Sequence, residues 1–207
     1  EYYVNDAGSQ IKTLGKSLFK RYQQLFDIDV ELINDEYPGN YLIDIANLIK
    51  NEDDDKWINF KDKIHLNNYF ESYATNFLIK NIKDDLSLIN INFDKFTFES
   101  QIVNSNLIDK VFSILNEKNL IYEGILKKPL GDDDDQWEPR KQLLFRSTIF
   151  SDDNDRAFKK ADGEWTYFAN DAAYHYDKYQ RGYDKLINIW GADHIGYIKR
   201  MKSIVDA

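Results

Sequence analysis

The chain has 207 residues, 43% of them hydrophobic and 15% aromatic, enough to bury the core of one large domain or two small ones. Charged residues make up 30%, and no apolar run approaches the roughly 20 residues that a membrane-spanning helix needs. Lys and Arg total 27 against 36 Asp and Glu, a net charge of −9, so no general attraction to nucleic acid is expected from these residues. The absence of cysteine removes disulfides, thiolate metal sites and cysteine nucleophiles, and fits a reducing compartment. The opening residues show no basic-then-apolar leader pattern.

In chain order, Tyr2 to Val4 reads as a short strand, and Asp6 as the N-cap of a helix carrying Ile11, Leu14, Leu18, Tyr22 and Leu25 at steps of three and four. Glu36 to Gly39 reads as a turn through its Pro-Gly pair, followed by a helix with Leu42, Ile45, Ala46 and Ile49. Asn51 to Asp55 is a polar break. Phe60 to Lys80 reads as a long helix through Ile64, Phe70, Tyr73 and Phe77, and Phe93 to Phe98 alternates as a strand does. Leu107 to Leu115 is helical again. Leu120 to Leu126, Leu143 to Arg146, Ala157 to Lys160 and Trp165 to Phe168 are strand-like, with Asp162-Gly163 as a hairpin signal. Ala173 to Arg181 is helical, Leu186 to Trp190 is an apolar run of strand length, and a last helix from about Ile195 places Ile198, Met201 and Val205 on one face. Both ends fall inside expected elements, so we expect a segment or a processed piece of a longer protein.

Three expected strand-to-helix junctions end in polar residues: Asn5-Asp6, Asn170-Asp171 and Asp193-His194. In open α/β sheets ligands bind beyond the carboxyl ends of strands, where helix N-termini offer unpaired N–H groups. Any one such acid is more simply an N-cap, but three together point to a site. The acidic runs Asp132 to Asp135 and Asp152 to Asp155 lack the Gly and the closing Glu of a calcium loop, and read as solvated loops. His65, His175 and His194 have no zinc-helix spacing; His65 reads as a helix-surface residue and His175 as a member of an aromatic cluster. The four tryptophans, Trp57, Trp137, Trp165 and Trp190, read as core or hairpin packing.

Several longer motifs run in one order along the chain. They are Tyr2-Tyr3-Val4-Asn5-Asp6-Ala7-Gly8 with Gln10-Ile11, Tyr122-Glu123-Gly124, Trp137-Glu138 and Leu143 to Thr148. Asp162-Gly163-Glu164-Trp165-Thr166-Tyr167-Phe168, Asp171 to His175, Arg181-Gly182 and Gly191-Ala192-Asp193-His194 complete the series. Together they resemble the central catalytic segment of bacterial arginyl-tRNA synthetases. The resemblance covers the whole chain and is densest from Leu120 onward.

What the resemblance implies is an α/β fold, part of a split Rossmann-type class I synthetase catalytic domain with a helical and β-hairpin insertion. Residues 1–30 would be a Rossmann-type strand and helix, 31–164 the insertion, and 165–207 the second-half Rossmann-type elements. The implied reaction is ATP-dependent activation of arginine and its transfer to tRNA, with ATP as a substrate accompanied by Mg2+ and no protein-bound metal. By position in the motifs, Tyr167, Asp171 and Asp193 correspond to the arginine pocket, and Gly191 and His194 to the approach of ATP. Asn5 and Asp6 match a motif whose partner is unassigned. Asp171 suits its role, since a carboxylate is the natural partner of a guanidinium. The resemblance further implies a cytoplasmic, monomeric full-length protein with arginine, ATP and tRNA as partners and no membrane. The family's His-x-Gly-His signature is expected before Glu1 and its Lys-Met-Ser-Lys type loop after Ala207; Lys199 to Ser203 only faintly resembles the latter and falls in the last expected helix. No catalytic group is therefore expected within these 207 residues, and the isolated chain is expected to be inactive. A different class of reading is a non-catalytic module that keeps the fold and arginine binding.

Overall fold

The computed structural model describes residues 1–126 and 139–207. The acidic run Asp132 to Asp135 and the motif pair Trp137-Glu138 lie outside the described residues. The chain divides into two compact units, Glu1–Phe98 and Glu99–Ala207.

In the first unit, β1 (Tyr2–Val4) is followed by three helices, α1 (Ser9–Gln24), α2 (Tyr41–Asp53) and α3 (Lys63–Leu88), and then by β2 (Phe96–Phe98). β1 and β2 pair in parallel, Tyr2 opposite Phe96 and Val4 opposite Phe98, and the helices supply the long crossover a parallel pair requires. The predicted helical spacings are the ones that bury. Leu14, Leu18 and Tyr22 of α1 meet Leu42, Ile45, Ala46 and Ile49 of α2 and Leu66, Phe70 and Ala74 of α3, with Trp57 in the same core. α1 and α3 approach so closely that a Cβ on Gly15 would lie 2.5 Å from Cγ of Glu71 and 2.8 Å from its backbone nitrogen. Any larger residue at position 15 forces the helices apart.

Four expectations shift here. Asp6 does not cap α1; Gly8 precedes the helix with φ 96°, a conformation that favours glycine, and no side chain caps it. The turn after α1 falls at 34–36, with Pro38 and Gly39 in the irregular approach to α2. The break expected at Asn51 begins only after Asp53, where Asp54 turns with φ 49°. α3 starts later and ends later than predicted, because Asp62 caps it by accepting the amides of Ile64 and His65 at 3.0 Å each. Ile64 falls off the Leu66–Phe70–Ala74 stripe and is exposed, and His65 is a surface residue as expected.

The second unit opens with two helices absent from the sequence reading or only partly in it, α4 (Glu99–Val103) and α5 (Leu107–Glu117). Then come β3 (Ile121–Ile125), β4 (Lys141–Phe145), β5 (Arg156–Lys159), α6 (Tyr167–Gln180) and α7 (Ile198–Asp206). The strands form an antiparallel sheet in the order β3-β4-β5, with Tyr122 opposite Leu144 and Phe145 opposite Arg156. Its core is Phe145 and Phe158 against Ile108, Val111 and Leu115 of α5, Phe168, Ala169 and Ala173 of α6, and Met201 and Ile204 of α7. The acids 152–155 are not simply solvated. Asp152 takes two hydrogen bonds from the Arg156 guanidinium at 2.7 and 2.6 Å, and Asp155 accepts from Tyr122 at 2.7 Å and from Thr148. They brace the turn between β4 and β5.

Three expectations fail near the C-terminal end. Trp165 to Phe168 is not a strand: Trp165 makes a single bridge to Lys159, and α6 begins at Tyr167 rather than near Ala173. Leu186 to Trp190 is unpaired among the described residues, with Ile187 75% and Ile189 93% exposed; Trp190 is partly exposed rather than core. α7 begins only at Ile198, after a 3-10 stretch Ala192–Tyr197, and buries Met201 and Ile204 while Ile198 and Val205 face solvent. Lys199 to Ser203 lies inside α7, as expected. Among the described residues no helix is long and apolar enough to cross a membrane.

Candidate functional site

The site is built on the first turns of α6. Thr166, in extended backbone, ends the bridge to β5 and starts the helix: its Oγ1 accepts the Ala169 amide and donates to the Ala157 carbonyl at 2.8 Å. Two consequences follow for the predicted residues. Tyr167 is the first residue of α6, 68% exposed, and does not end a strand. Asp171 lies one turn further along the same helix face, and it is not the cap. Capping is thereby removed as the explanation for a carboxylate at position 171.

Asp171 is half-buried, and its Oδ2 accepts a hydrogen bond from the Tyr197 hydroxyl, which arrives from the end of the 3-10 stretch before α7. Burial pushes the Asp171 carboxyl above its ordinary range, while the Tyr197 hydroxyl and the charges of Lys178, Arg200 and His194 act in the opposite direction. Tyr197 itself is set between two groups, the Trp190 ring at 6.1 Å, edge to face, and the Arg200 guanidinium 4.8 Å over its own ring. Burial and the Asp171 charge push its phenol well up, so it remains a donor at neutral pH.

Two further α6 residues complete the surroundings. The Nδ1 of His175 lies 2.9 Å from the Asp171 carbonyl, so Nδ1 carries the proton. Burial and Lys178 hold that imidazole below its usual range, outweighing the carbonyl. The ring packs edge-on against Tyr174, which with Tyr176 and Tyr179 was expected around it, and against Trp190, which was not expected there. Lys178 is buried, with its ammonium 2.5 Å from Oδ1 of Asn188 and 4.3 Å over the Tyr174 ring.

The remaining predicted residues sit as follows. Gly191 leads into the 3-10 stretch that carries Asp193 and His194, and all three are exposed. The His194 amide donates to the Gly191 carbonyl at 3.0 Å, and its Nε2 lies 3.7 Å from Asp193 Oδ2. His194 reaches Asp171 electrostatically and Tyr197 by a ring contact of 6.5 Å. Neither Asp171 nor Asp193 stands at a strand-to-helix junction. Asn5 and Asp6 follow β1 in the first unit, where the Asp6 amide turns back to the Val4 carbonyl at 3.0 Å. Among the described residues no group of three or more His, Cys, Asp or Glu is arranged to hold a metal ion.

What the α6 arrangement can do is accept a cation. A half-buried carboxylate with one lone pair taken by a phenol keeps its other lone pairs for N–H donors, and a planar guanidinium offers two in parallel. A separate cavity of about 480 Å3 lies beyond His175, lined by Leu115, Ala172, Tyr176, Leu186 and Ile204, and does not include Asp171. It is mostly apolar and does not suit a charged ligand.

No family model matches the chain. Similarity to curated proteins, however, extends from end to end. The chain is 43% identical over 207 residues to the arginine–tRNA ligase of Cereibacter sphaeroides, covering 100% of this chain and 36% of that protein. It is 45% identical over 208 residues to the ligase of Orientia tsutsugamushi, and 45% over 207 residues to that of Ehrlichia ruminantium. These proteins are all arginine–tRNA ligases, and this chain is related to one segment of them. It spans about a third of their length. A crystal structure from Campylobacter jejuni, provisionally named an arginyl-tRNA synthetase, superposes with a TM-score of 0.80 at 31% identity over 99% of this chain and 41% of that one.

Sequence reasoning missed Tyr197, Arg200 and Lys178 as the surroundings of Asp171. Tyr197 lies 26 positions away, and no local spacing marks it. Lys178 carried a usable signal, since it falls seven residues after Asp171 on the same helical face.

Proposed function

We propose that the chain is the central segment of the catalytic domain of an arginine–tRNA ligase, a class I aminoacyl-tRNA synthetase. The observation that carries the reading is end-to-end identity of 43% and 45% with ligases of that name. In this reading the whole protein joins the arginine carboxylate to the α-phosphate of ATP, with loss of pyrophosphate, and then passes the arginyl group to the terminal adenosine of tRNA. Orientation and charge stabilisation do most of that work. Mg2+ arrives with the ATP phosphates.

Within the segment, Asp171 receives the arginine guanidinium and Tyr167, one turn before it, helps to hold the side chain. Asp193 stands near arginine and the nucleotide, and Gly191 and His194 border the approach of ATP. Asn5 and Asp6 belong to the site motif without an assigned partner. Residues 1–30 and 165–207 are the two Rossmann-type portions, with 31–164 inserted between them. Leu186 to Trp190 then serves as a strand of the split sheet whose neighbours lie in the rest of a ligase-length chain. The exposed apolar side chains of Ile187 and Ile189 support that assignment. The ligase-length protein works in the cytoplasm as a monomer.

The test is arginine-dependent exchange between ATP and pyrophosphate, with tRNA present, by a chain of the relatives' length that carries these residues. Asp171→Asn should lower kcat/KM for arginine by about 10²-fold, roughly 3 kcal/mol for a guanidinium left without its charged partner. The melting temperature should hardly move, because Thr166 and not Asp171 caps α6. Near-normal arginine kinetics in that variant would remove Asp171 from the pocket.

A further inference from the structure

Carboxylates that select a guanidinium must be both ionised and aimed, and the half-burial of Asp171 works against the first requirement. We propose that Tyr197 is a positioning residue for Asp171: its hydroxyl, donated to Oδ2, sets the plane of the carboxylate that receives the substrate guanidinium. This rests on the reading of Asp171 given above, and goes beyond it by naming the residue through which that carboxylate is held.

Three observations support it. The Tyr197 hydroxyl bonds directly to Oδ2, bridging α6 to the stretch that also carries Asp193 and His194. Its ring is held by the Trp190 ring and the Arg200 guanidinium, so the phenol is a fixed strut rather than a swinging surface tyrosine. And the donor count permits a ligand. A carboxylate offers about four lone-pair sites and a phenol donates one proton, so Oδ1 and the second lone pair of Oδ2 remain for two parallel N–H groups. By that count the carboxylate can take Tyr197 and a guanidinium together.

The hydroxyl also favours the charged form of the carboxyl, acting with Lys178 from α6, His194 from the 3-10 stretch and Arg200 from α7 against the effect of burial. Lys178, His194 and Arg200 act on the carboxyl through their charges, whereas the Tyr197 hydroxyl bonds to one named oxygen and so fixes a direction. Among the causes that favour the ionised form, the Tyr197 hydroxyl bond is the largest.

Tyr197→Phe keeps the ring and both of its neighbours while deleting the donor. In a ligase-length chain it should raise KM for arginine about tenfold, leave kcat and KM for ATP within twofold, and move the acid limb of kcat/KM for arginine to higher pH. A purely structural role would move the melting temperature and both substrates together. If Asp171→Asn loses arginine and Tyr197→Phe does not, the positioning role is wrong and the pocket reading stands. If Tyr197→Phe instead lowers KM for arginine, the hydroxyl competes with the substrate and the proposal is overturned. If Asp171→Asn itself has no effect, the pocket reading falls and takes this inference with it.

Discussion

Glu36 offers the most quantitative test of the packing described above. Its side chain is 2% exposed, accepts a hydrogen bond from Lys20 of α1 at 2.8 Å and the Ile33 amide at 3.0 Å, and ion-pairs with Lys16 of α1 at 3.0 Å. Burial pushes its carboxyl up, but the bonds from Lys20, Ile33 and Lys16 outweigh it and bring the pKa from an ordinary 4.5 down to about 2. At about 1.4 kcal/mol per unit the drop corresponds to roughly 3 kcal/mol. Lys16 is 58% exposed and its share is screened by solvent, so about 1–2 kcal/mol is the expected contribution. A group whose pKa is depressed by folding contributes above its unfolded value and loses that contribution as pH falls through the folded one. Glu36→Gln should therefore cost about 1–2 kcal/mol at pH 7, and the gap should close as pH falls from about 4.5 toward 2. Urea unfolding of both proteins across that range measures the gap, and acids common to both cancel in the difference. Amide exchange at Ile33 and Tyr37 reads the same clamp locally, the latter because its amide donates to buried Ser17 at 3.0 Å. A gap that stays constant from pH 7 to pH 2 would refute the reasoning, since it could not then come from the carboxylate charge.

Other outcomes follow from the second unit. Thr166→Ala removes the cap of α6 and should cost about 1 kcal/mol in thermal melting, whereas Asp171→Asn costs almost nothing there; the reverse order would restore Asp171 as the cap. Ile187 and Ile189 are 75% and 93% exposed in an apolar run without strand pairing among the described residues, so the 207-residue chain should self-associate, and Ile189→Lys should reduce that association in sedimentation velocity. A wild-type chain that sediments as a single monomer at high concentration would count against this.

How much of this was legible in the sequence depended on whether a feature was local. The spacing of Leu14, Leu18 and Tyr22, and of Leu42, Ile45, Ala46 and Ile49, identified buried helix faces, because burial on a helix repeats with the helix itself. The strands at Ile121–Ile125, Lys141–Phe145 and Arg156–Lys159 overlap the strand-like runs expected at Leu120 to Leu126, Leu143 to Arg146 and Ala157 to Lys160, with ends shifted by one or two residues. What failed involved a choice between competing local rules. Trp165 to Phe168 looks like a strand, yet Thr166 is also an N-cap, and the cap prevailed because the alanines after it pack on Phe145 and Phe158. Asp6 and Asp62 carry the same capping chemistry, but Asp62 directly precedes its helix with the Ile64 and His65 amides in reach, whereas α1 starts three residues after Asp6. In the candidate site, the sequence singled out Asp171 as a candidate but misplaced it at the start of α6, and the Tyr197 contact had no sequence signal because it closes across 26 residues.

Leu186 to Trp190 is a different case, in which the pattern and the observed conformation disagree for a physical reason. A continuous apolar run of strand length, with Ile187 and Ile189 on one side and Asn188 fixed to Lys178 on the other, satisfies every local condition for a strand. A strand also needs partners for its backbone, and a run this apolar on alternate residues needs cover on the exposed side. Neither condition is local. The run is tied to α6 through Asn188 on Lys178 and through the Trp190 ring, which also meets Tyr197. Trp190 also supports Tyr197, and Tyr197 holds Asp171. Pairing the run with neighbouring strands would therefore stiffen the same chain of contacts that aims the candidate guanidinium-binding carboxylate. On this argument, strand pairing at Leu186 to Trp190 and the orientation of the Asp171 carboxylate are coupled, with Trp190 and Tyr197 as the physical link.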